Sequence, residues 1–493
     1  MKIRWAIFDL LVIALSCPGY QHVAQSSQEH KLGSLAFQPY EYKIEGQSIE
    51  CELGRLVVKE NRKSQNSNII ELAFVRLKST AAKPGPPIIY LEGGPGSSAI
   101  GIARFAEYMR AFAKLREAGD VILLDQRGVG LSRPNLTRLS SQSLPLDFFA
   151  DQEAALRTIK ERSREAAEYF RKQGVDLRAY NTVESADDVD DLRRALGVDK
   201  INLVGFSYGT HLALAAIRRH GDNLNRVALI GTEGPNHTQK LPSTSDKQIE
   251  TISKLASQDP AIGKLVPDLT GLMKRVFDRL HKQPAVVSVT DRRTNKLVDL
   301  KIGKFGLQLI TIFDLGDTSD LPSFPALFYT IDKGDYSLLA RFAEKRYNQL
   351  GAGVPVIMEV MDSSSGATRE RQALIAREAR RSLLGNVMNF LDVGDVFGNP
   401  DLGDDYRSPI RTNVPTIFVS GTLDNNTPPF QADEVRKGFT HSAHLVVENA
   451  GHEDMLINPH VQQALVDYFN DRDLSRLRIS LPPLRFLPIP DKK

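Results

Sequence analysis

The sequence has few cysteines and little excess charge. Its 493 residues include two cysteines, one tryptophan, and 63 basic against 60 acidic residues, which leaves a net charge of +3. Two cysteines cannot build a disulfide framework, but a chain of this length can bury a large core without one. The balanced charge gives no reason to expect a nucleic-acid partner, because such proteins usually carry a basic surface. A globular protein with several domains, or with one domain and an insertion, is expected.

The first 16 residues have the layout of a signal peptide. Lys2 and Arg4 supply positive charge, and an apolar run from Ala6 to Ser16 follows. The run is too short to span a membrane as a helix, so no membrane span is expected. A cut before Cys17 would export the protein, to the periplasm or the medium, and would allow a lipid anchor on that cysteine. Asp9 favours the alternative, a cytosolic protein with a frayed terminus.

The order of predicted strands and helices indicates an α/β architecture. Two β-rich stretches, near 49–59 and 69–77, are typical of an antiparallel hairpin. From Pro86 onward short apolar strands alternate with helical segments, which predicts a mostly parallel, doubly wound sheet. The predicted strands of that sheet are 88–91, 121–125, 201–204, 227–230, 416–419 and 445–447.

The alternation stops between Pro235 and about Asp405, where amphipathic helical stretches take over. An insertion between two strands of one sheet predicts a mainly helical cap over the carboxyl edge of the strands, where open α/β sheets place their sites. The predicted organisation is a signal peptide (1–16), a flexible lead (17–35), a first core segment (36–235), the cap (236–408), a second core segment (409–475) and a proline-rich tail (476–493).

A Gly-x-Ser-x-Gly motif marks the candidate nucleophile, Ser207. The motif reads Gly-Phe-Ser-Tyr-Gly at 205–209, directly after the strand 201–204 and before a helix that begins near Thr210. This context favours a nucleophile turn, because the glycines permit a tight turn that exposes the serine. An ordinary glycine-flanked turn between a strand and a helix is the alternative.

A glycine-rich loop follows the strand 88–91 and is the candidate oxyanion loop. Its sequence, Glu-Gly-Gly-Pro-Gly at 92–96, would let the backbone approach a substrate oxygen without a Cβ in the way. Gly94 and then Gly93 are the expected N–H donors from this loop, and Tyr208 is the expected donor after the nucleophile. A structural turn is the alternative, whereas a phosphate loop would need a lysine and a Ser/Thr that are missing here.

A serine hydroxyl needs a base to take its proton, and His452 is the predicted base. It lies just past the strand 445–447, and Asp424, the predicted acid, follows the strand 416–419. The chain order Ser, Asp, His is that of α/β hydrolases. The rival bases are His441, His444, His460 and His211, and the fallback acids are Asp401, Asp404 and Asp405. No metal or organic cofactor is expected, because this chemistry needs none and no ligand spacing suggests one.

Five motifs together resemble the proline iminopeptidase and tripeptidyl aminopeptidase family of α/β-hydrolase serine peptidases. They are Gly-Gly-Pro-Gly at 93–96, Asp-Gln-Arg-Gly-Val-Gly-Leu-Ser at 125–132, the serine motif at 205–209, Gly-Thr-Leu-Asp at 421–424 and Gly-His at 451–452. The resemblance implies an α/β-hydrolase fold with a helical cap, and removal of N-terminal residues, often proline or short peptides, from small peptide substrates. The family commonly has histidine where this chain has Glu92.

Two further expectations accompany the resemblance. Asp125 and Arg127 are expected to form a buried ion pair beside the oxyanion loop. An aminopeptidase should bind the free ammonium group of its substrate with carboxylates, for which Glu233, Glu359 and Asp362 are candidates, although each is more often solvated or structural. A carboxylesterase or other small-ester hydrolase with the same triad is the alternative function, and a non-catalytic binding protein is the third.

Overall fold

The structure, a computed structural model, describes residues 31–316, 318–390, 393–474 and 476–489. The predicted signal peptide (1–16), the possible lipid-anchor site at Cys17 and most of the predicted flexible lead lie outside the described residues, so export stays a prediction. Within the described ranges, no helix is long and apolar enough to cross a membrane.

A ten-stranded sheet forms the centre of the described chain. The described residues form fourteen strands in all, which are β1 (Leu35–Ile44), β2 (Gln47–Lys59), β3 (Ile69–Leu77), β4 (Ile88–Leu91), β5 (Val121–Asp125), β6 (Thr137–Leu139), β7 (Ile201–Phe206), β8 (Leu224–Ile230), β9 (Ala285–Asp291), β10 (Lys296–Ile302), β11 (Gly353–Pro355), β12 (Thr416–Gly421), β13 (Ser442–Glu448) and β14 (Ile479–Ser480). The order in the large sheet is β1-β2-β3-β5-β4-β7-β8-β12-β13-β14, while β9 pairs with β10 and β6 with β11.

The large sheet begins antiparallel and continues parallel. β1, β2, β3 and β5 pair antiparallel in turn, which confirms the predicted hairpin of β2 and β3. From β5 onward through β4, β7, β8, β12 and β13 to β14, every pairing is parallel. β4, β5, β7 and β12 are buried along their whole length, as parallel strands are when helices cover both faces. Such strands are recognisable in a sequence as continuous apolar runs.

Helices cover both faces of the sheet. The α-helices of the described residues are α1 (Ala99–Ile102), α2 (Ala106–Leu115), α3 (Gln152–Lys172), α4 (Thr182–Ala195), α5 (Tyr208–His220), α6 (Pro242–Gln258), α7 (Leu269–Lys282), α8 (Lys304–Leu315), α9 (Phe324–Asp332), α10 (Ser337–Gly351), α11 (Val356–Ser365), α12 (Arg369–Ala379), α13 (Gly394–Phe397), α14 (Gly403–Arg407), α15 (Pro429–Val435), α16 (Asp454–Ile457) and α17 (Pro459–Phe469). Ile89 of β4 shares one core with Leu212 of α5, and its neighbour Tyr90 shares another with Phe112 of α2. The sheet is therefore doubly wound.

The segment between β8 and β12, residues 231–415, is mainly helical. It contains the predicted cap (236–408), and from here on the whole segment is called the cap. Part of it packs around a separate hydrophobic core, which includes Met273 and Phe328 of the cap together with Phe148 and Phe149 from the segment before α3. The sequence prediction for this segment omits the hairpin of β9 and β10. Alternate residues of β9 are buried, but Val286 is apolar and 63% exposed, so the hydropathy pattern hides the alternation. Phe486 from the C-terminal tail also packs into this separate core.

Asp125 and Arg127 do not form the predicted ion pair. Asp125 accepts hydrogen bonds from Ser98 Oγ at 2.7 Å, from Ile100 N–H at 3.1 Å and from Leu131 N–H at 2.8 Å. The prediction is therefore wrong. The carboxylate is hydrogen-bonded by donors of the loops around the end of β5. These buried backbone N–H groups need acceptors, and Asp125 provides them.

Arg127 instead pairs with Asp188 of α4 at 2.7 Å. Its guanidinium group is fully buried and also donates to the carbonyl oxygens of Glu60, at 2.6 Å, and Ala179, at 2.7 Å. Arg62 shares the same Asp188 carboxylate. These contacts join the end of β2, the segment before α4, and α4 itself to the loop after β5.

Replacing Arg127 with alanine should destabilise the protein by about 3 kcal/mol, because the buried Asp188 loses a partner and two buried carbonyl groups lose their donor. Urea unfolding followed by circular dichroism measures the change. The control is Arg178→Ala, which removes an ion pair with Asp176 whose arginine side chain is 69% exposed, and should cost less than about 1 kcal/mol. Equal losses in the two variants would contradict the structural role assigned to Arg127.

Candidate active site

Ser207 occupies a strained turn between β7 and α5. Its backbone has φ 53° and ψ −124°, a conformation that residues with a side chain rarely adopt. Its N–H donates to the Ile230 carbonyl at 2.9 Å, and Thr210 Oγ1 donates to its carbonyl oxygen at 2.6 Å. The end of β8 and the first turn of α5 therefore hold the predicted nucleophile in this conformation.

The two glycines of the serine motif permit close backbone contact on either side of Ser207. A Cβ at Gly205 would lie 2.5 Å from the Gly209 carbonyl oxygen, and a Cβ at Gly209 would collide with the carbonyl oxygen of Leu91. The first turn of α5 thus packs directly against the end of β4. Because the loop 92–96 begins there, the predicted oxyanion loop lies beside the predicted nucleophile.

Asp424 and His452 form a buried hydrogen-bonded pair. His452 Nδ1 lies 2.8 Å from Asp424 Oδ2, and Thr427 Oγ1 donates to the same oxygen at 2.6 Å. The backbone N–H groups of Asn426 and Thr427 donate to Asp424 Oδ1 at 2.8 and 3.0 Å. Both carboxylate oxygens are therefore held in place, one of them toward the imidazole.

The pair also shifts the pKa values of both groups. Burial alone would raise the pKa of Asp424, but the charge and hydrogen bond of His452, with Thr427, hold it below its ordinary value. Burial would likewise lower the pKa of His452, but Asp424 raises it above its ordinary value. The site thus favours an ionised Asp424 and stabilises a positive charge on His452.

His452 lies beside the nucleophile turn. Its ring centroid is 5.0 Å from that of Phe206, and a Cβ at Gly231 would lie 3.2 Å from His452 Cε1. The imidazole contacts to Asp424 and Thr427 both involve Nδ1, so Nε2 is the nitrogen that can accept a proton from Ser207. The described residues include no direct Ser207–His452 hydrogen bond; in ligand-free sites such bonds are often long and shorten with substrate.

The predicted oxyanion donors differ in availability. Gly93 lies against Ser207, but its N–H already donates a hydrogen bond to Glu92 Oε1 at 2.8 Å. Tyr208 is the first residue of α5, where helical N–H groups have no partner within the helix. Gly94, with φ 111°, lies in the region that favours glycine. Gly94 and Tyr208 therefore remain as candidate donors, and Gly93 does not.

Helix α11 of the cap packs over this end of the sheet. A Cβ at Gly96 would lie 2.5 Å from Ile357 Cγ2, and Tyr208 Oη lies 3.3 Å from Met361 Sδ. Tyr208 Oη also contacts Thr182 Oγ1 at 2.9 Å. The helix that carries two of the three predicted ammonium-binding acids therefore contacts both the oxyanion loop and the residue after the nucleophile.

The three predicted ammonium-binding acids have different surroundings. Glu233 already forms an ion pair with Lys240, and burial notwithstanding, that cation holds its pKa below the ordinary value. Glu359 accepts a hydrogen bond from Ser163 Oγ at 2.9 Å, and burial raises its pKa to about 8. Burial and the negative charge of Glu233 raise the pKa of Asp362 well above its ordinary value, whereas the charge of Lys240 acts in the opposite direction. Among the described residues, Glu233 is thus the acid of the three that forms an ion pair with a lysine.

The rival histidines make other contacts. His211 reaches the Gly234 carbonyl through Nδ1 at 3.1 Å and Tyr406 Oη through Nε2 at 2.6 Å. His444 reaches Asp433 Oδ1 at 3.1 Å and Ser420 Oγ at 3.0 Å. Thr427, by contrast, is a site residue that the sequence reasoning missed. The signal was present, since an Asp followed three residues later by a threonine N–H and hydroxyl is a common local capping pattern.

Comparison with known proteins agrees with this geometry. A family model described as alpha/beta hydrolase fold matches residues 86–284, and one described as TAP-like protein matches residues 403–477. The chain has the α/β-hydrolase fold. This confirms the predicted fold class, an α/β-hydrolase fold with a mostly parallel, doubly wound sheet.

The curated relatives that this chain resembles are distant. A tripeptidyl aminopeptidase of Streptomyces lividans is 32% identical over 201 residues, which cover 39% of this chain and 34% of that protein. A serine protease Hip1 of Mycobacterium tuberculosis is 29% identical over 192 residues, 37% of this chain and 36% of its own. The chain thus matches about a third of the length of these curated relatives. A thermophilic esterase from Thermogutta terrifontis is similar with a TM-score of 0.36 and 15% identity, over 84% of this chain and 98% of that one.

The Asp424–His452 contact should be measurable by titration. Replacing Asp424 with asparagine removes the negative charge that raises the pKa of His452, so that pKa should fall. NMR of protein labelled with ¹⁵N-histidine follows the titration, and His452→Gln identifies the resonance. Asp433→Asn is the matched control, because Asp433 contacts His444 and should leave His452 unchanged. An unchanged His452 in Asp424→Asn would contradict the contact.

Proposed function

We propose that the protein is a serine aminopeptidase that removes N-terminal residues, proline or a short peptide, from peptides through an acyl-enzyme. The observation that carries this proposal is the buried Asp424–His452 pair, held at the carboxyl edge of the sheet beside the strained Ser207 turn. The cap helix α11 carries two acids that form no salt bridge among the described residues, which supports the aminopeptidase form of the proposal.

The proposed reaction begins with proton transfer from Ser207 Oγ to His452 Nε2 while Oγ attacks the scissile carbonyl carbon. Asp424 keeps the imidazole oriented and stabilises its positive charge. The N–H groups of Gly94 and Tyr208 stabilise the oxyanion of the tetrahedral intermediate. His452 then gives its proton to the leaving amine, the C–N bond breaks, and water hydrolyses the acyl-enzyme with the same base.

The proposed specificity depends on the acids of α11. A free N-terminal ammonium group is a cation that a buried carboxylate binds favourably. Asp362 is the leading candidate, because it forms no salt bridge among the described residues and lies on the helix that contacts Tyr208 through Met361. Glu359 lies one helical turn before it, whereas Glu233 already binds Lys240. The name of the Streptomyces relative, tripeptidyl aminopeptidase, is consistent with this specificity.

A matched substrate panel tests the reaction class. Chromogenic amides of Pro, Ala and Ala-Ala-Pro should be cleaved when their α-amino group is free and not when it is acetylated. The variant Ser207→Ala should lose about 10³-fold or more in kcat, because the nucleophile is gone. Turnover of p-nitrophenyl esters alone would favour the carboxylesterase alternative. Full activity of Ser207→Ala would refute the proposed nucleophile.

A charge-removing variant tests the ammonium site. Asp362→Asn should raise KM for the free-amine amides by about 10-fold or more, because the substrate cation loses its carboxylate partner, and should leave ester hydrolysis nearly unchanged. Asp395→Asn is the matched control, since Asp395 is an exposed acid on α13 of the same cap. If the two variants behave alike toward free-amine substrates, Asp362 does not bind the ammonium group.

A further inference from the structure

Glu92 is the residue at which this chain departs from the resembled family, and it is almost completely buried, with 1% of its surface exposed. It is the first residue after β4, and its carbonyl accepts a hydrogen bond from Gln126 Nε2 at 2.9 Å. The backbone just before it lies against Gly209 of α5. Its position is therefore fixed relative to the nucleophile turn.

The carboxyl group of Glu92 is held at both oxygens. Tyr90 Oη donates to Oε2 at 2.6 Å, and Gly93 N–H donates to Oε1 at 2.8 Å. Gly93 in turn lies against the nucleophile, since a Cβ there would be 2.8 Å from Ser207 Cβ and 3.4 Å from Ser207 Oγ. The carboxyl group thus holds Gly93 in place. Gly93 contacts the nucleophile and directly precedes Gly94, the candidate oxyanion donor.

Several titratable groups surround this carboxyl group. The pKa of Glu92 is raised to about 7, mainly by burial and to a smaller extent by the charge of Asp125. The hydrogen bonds from Tyr90 and Gly93 and the charge of His452 act in the opposite direction. Tyr108 of α2 also faces it, and Tyr108 donates to Glu453, the residue after His452, at 2.8 Å. An ionised Glu92 therefore stabilises the positive charge of His452, and reciprocally His452 favours the ionised carboxylate.

We propose that Glu92 is a positioning residue of the hydrolytic site, which locks the Gly93 peptide against Ser207 and stabilises the protonated form of His452. It acts through the oxyanion loop and the base, and it does not touch the reacting atoms. This inference rests on the proposed serine hydrolase function. In this role Glu92 keeps the oxyanion loop in its active conformation before substrate binds. Such preorganisation of hydrogen-bond donors is the main source of their contribution to the rate.

The variant Glu92→Gln tests the proposal with little change in shape. Its amide oxygen can still accept from Gly93, but the negative charge is lost, so His452 should bind its proton more weakly. We expect the acid limb of the kcat/KM–pH profile to move to lower pH, and kcat to fall several-fold with KM within about twofold. Glu92→Leu, which also removes the acceptor, should lower kcat by about 10²-fold, as a misplaced catalytic loop does.

The control is Glu60→Gln. Glu60 is 2% exposed and accepts a hydrogen bond from Tyr180 Oη at 3.0 Å, so it is also a buried acid bonded to a tyrosine, but its contacts are with residues outside the proposed site. It should change stability only. If Glu92→Gln keeps the wild-type acid limb and both Glu92 variants keep kcat within twofold, Glu92 has no positioning role. If Glu92→Leu does not fold, Glu92→Gln alone decides. Because the wild-type protein and Ser207→Ala are assayed in parallel, a failure of the hydrolase function is seen separately as an inactive wild type.

Discussion

The site depends on the close approach of two backbones, that of α5 at Gly209 and that of β4 at Leu91. No side chain fits between them, so the nucleophile turn and the loop that leaves β4 occupy one small volume at the carboxyl edge of the sheet. Parallel strands bring such edges together in any doubly wound sheet. In this chain Gly209 allows α5 to begin directly against the neighbouring strand. Ser207 has its strained conformation at this point, and hydrogen bonds to Ile230 and from Thr210 maintain it.

Much of the fold and of the candidate site could be predicted from the sequence because the signals are local. A buried parallel strand is an apolar run, and a nucleophile turn needs glycines at fixed offsets from a serine, so Ser207, Asp424 and His452 each follow a recognisable strand. The partner of Arg127 could not be predicted in this way, because Asp188 lies 61 residues away in the sequence. The neighbouring acid, Asp125, accepts hydrogen bonds from loop N–H groups instead. Such pairings are decided by packing between distant segments and leave no mark in local sequence.

The cap shows the same limit. Its amphipathic helices are visible as periodic patterns, but the hairpin of β9 and β10 is not, because Val286 and Leu297 are apolar and exposed. The contacts that matter for the site are also long-range: Ile357 reaches Gly96 and Met361 reaches Tyr208 only after the cap has folded over the sheet. Sequence alone therefore suggested Glu359 and Asp362 as equals of Glu233, whereas the structure separates an acid that is already paired from two that are not.

Acids whose pKa is raised in the folded protein have an energetic consequence that bears on the proposed specificity. Raised pKa values at Glu359 and Asp362 mean that folding disfavours their ionised forms, so the free protein carries an electrostatic cost that a bound ammonium group would relieve. A ligand that relieves such a cost binds the folded protein in preference to the unfolded chain and stabilises it. An ester without an amino group gains nothing from this arrangement. Under the proposed function, the acids of α11 would favour amine-bearing substrates through differential binding, while the proposed triad would serve an ester equally well.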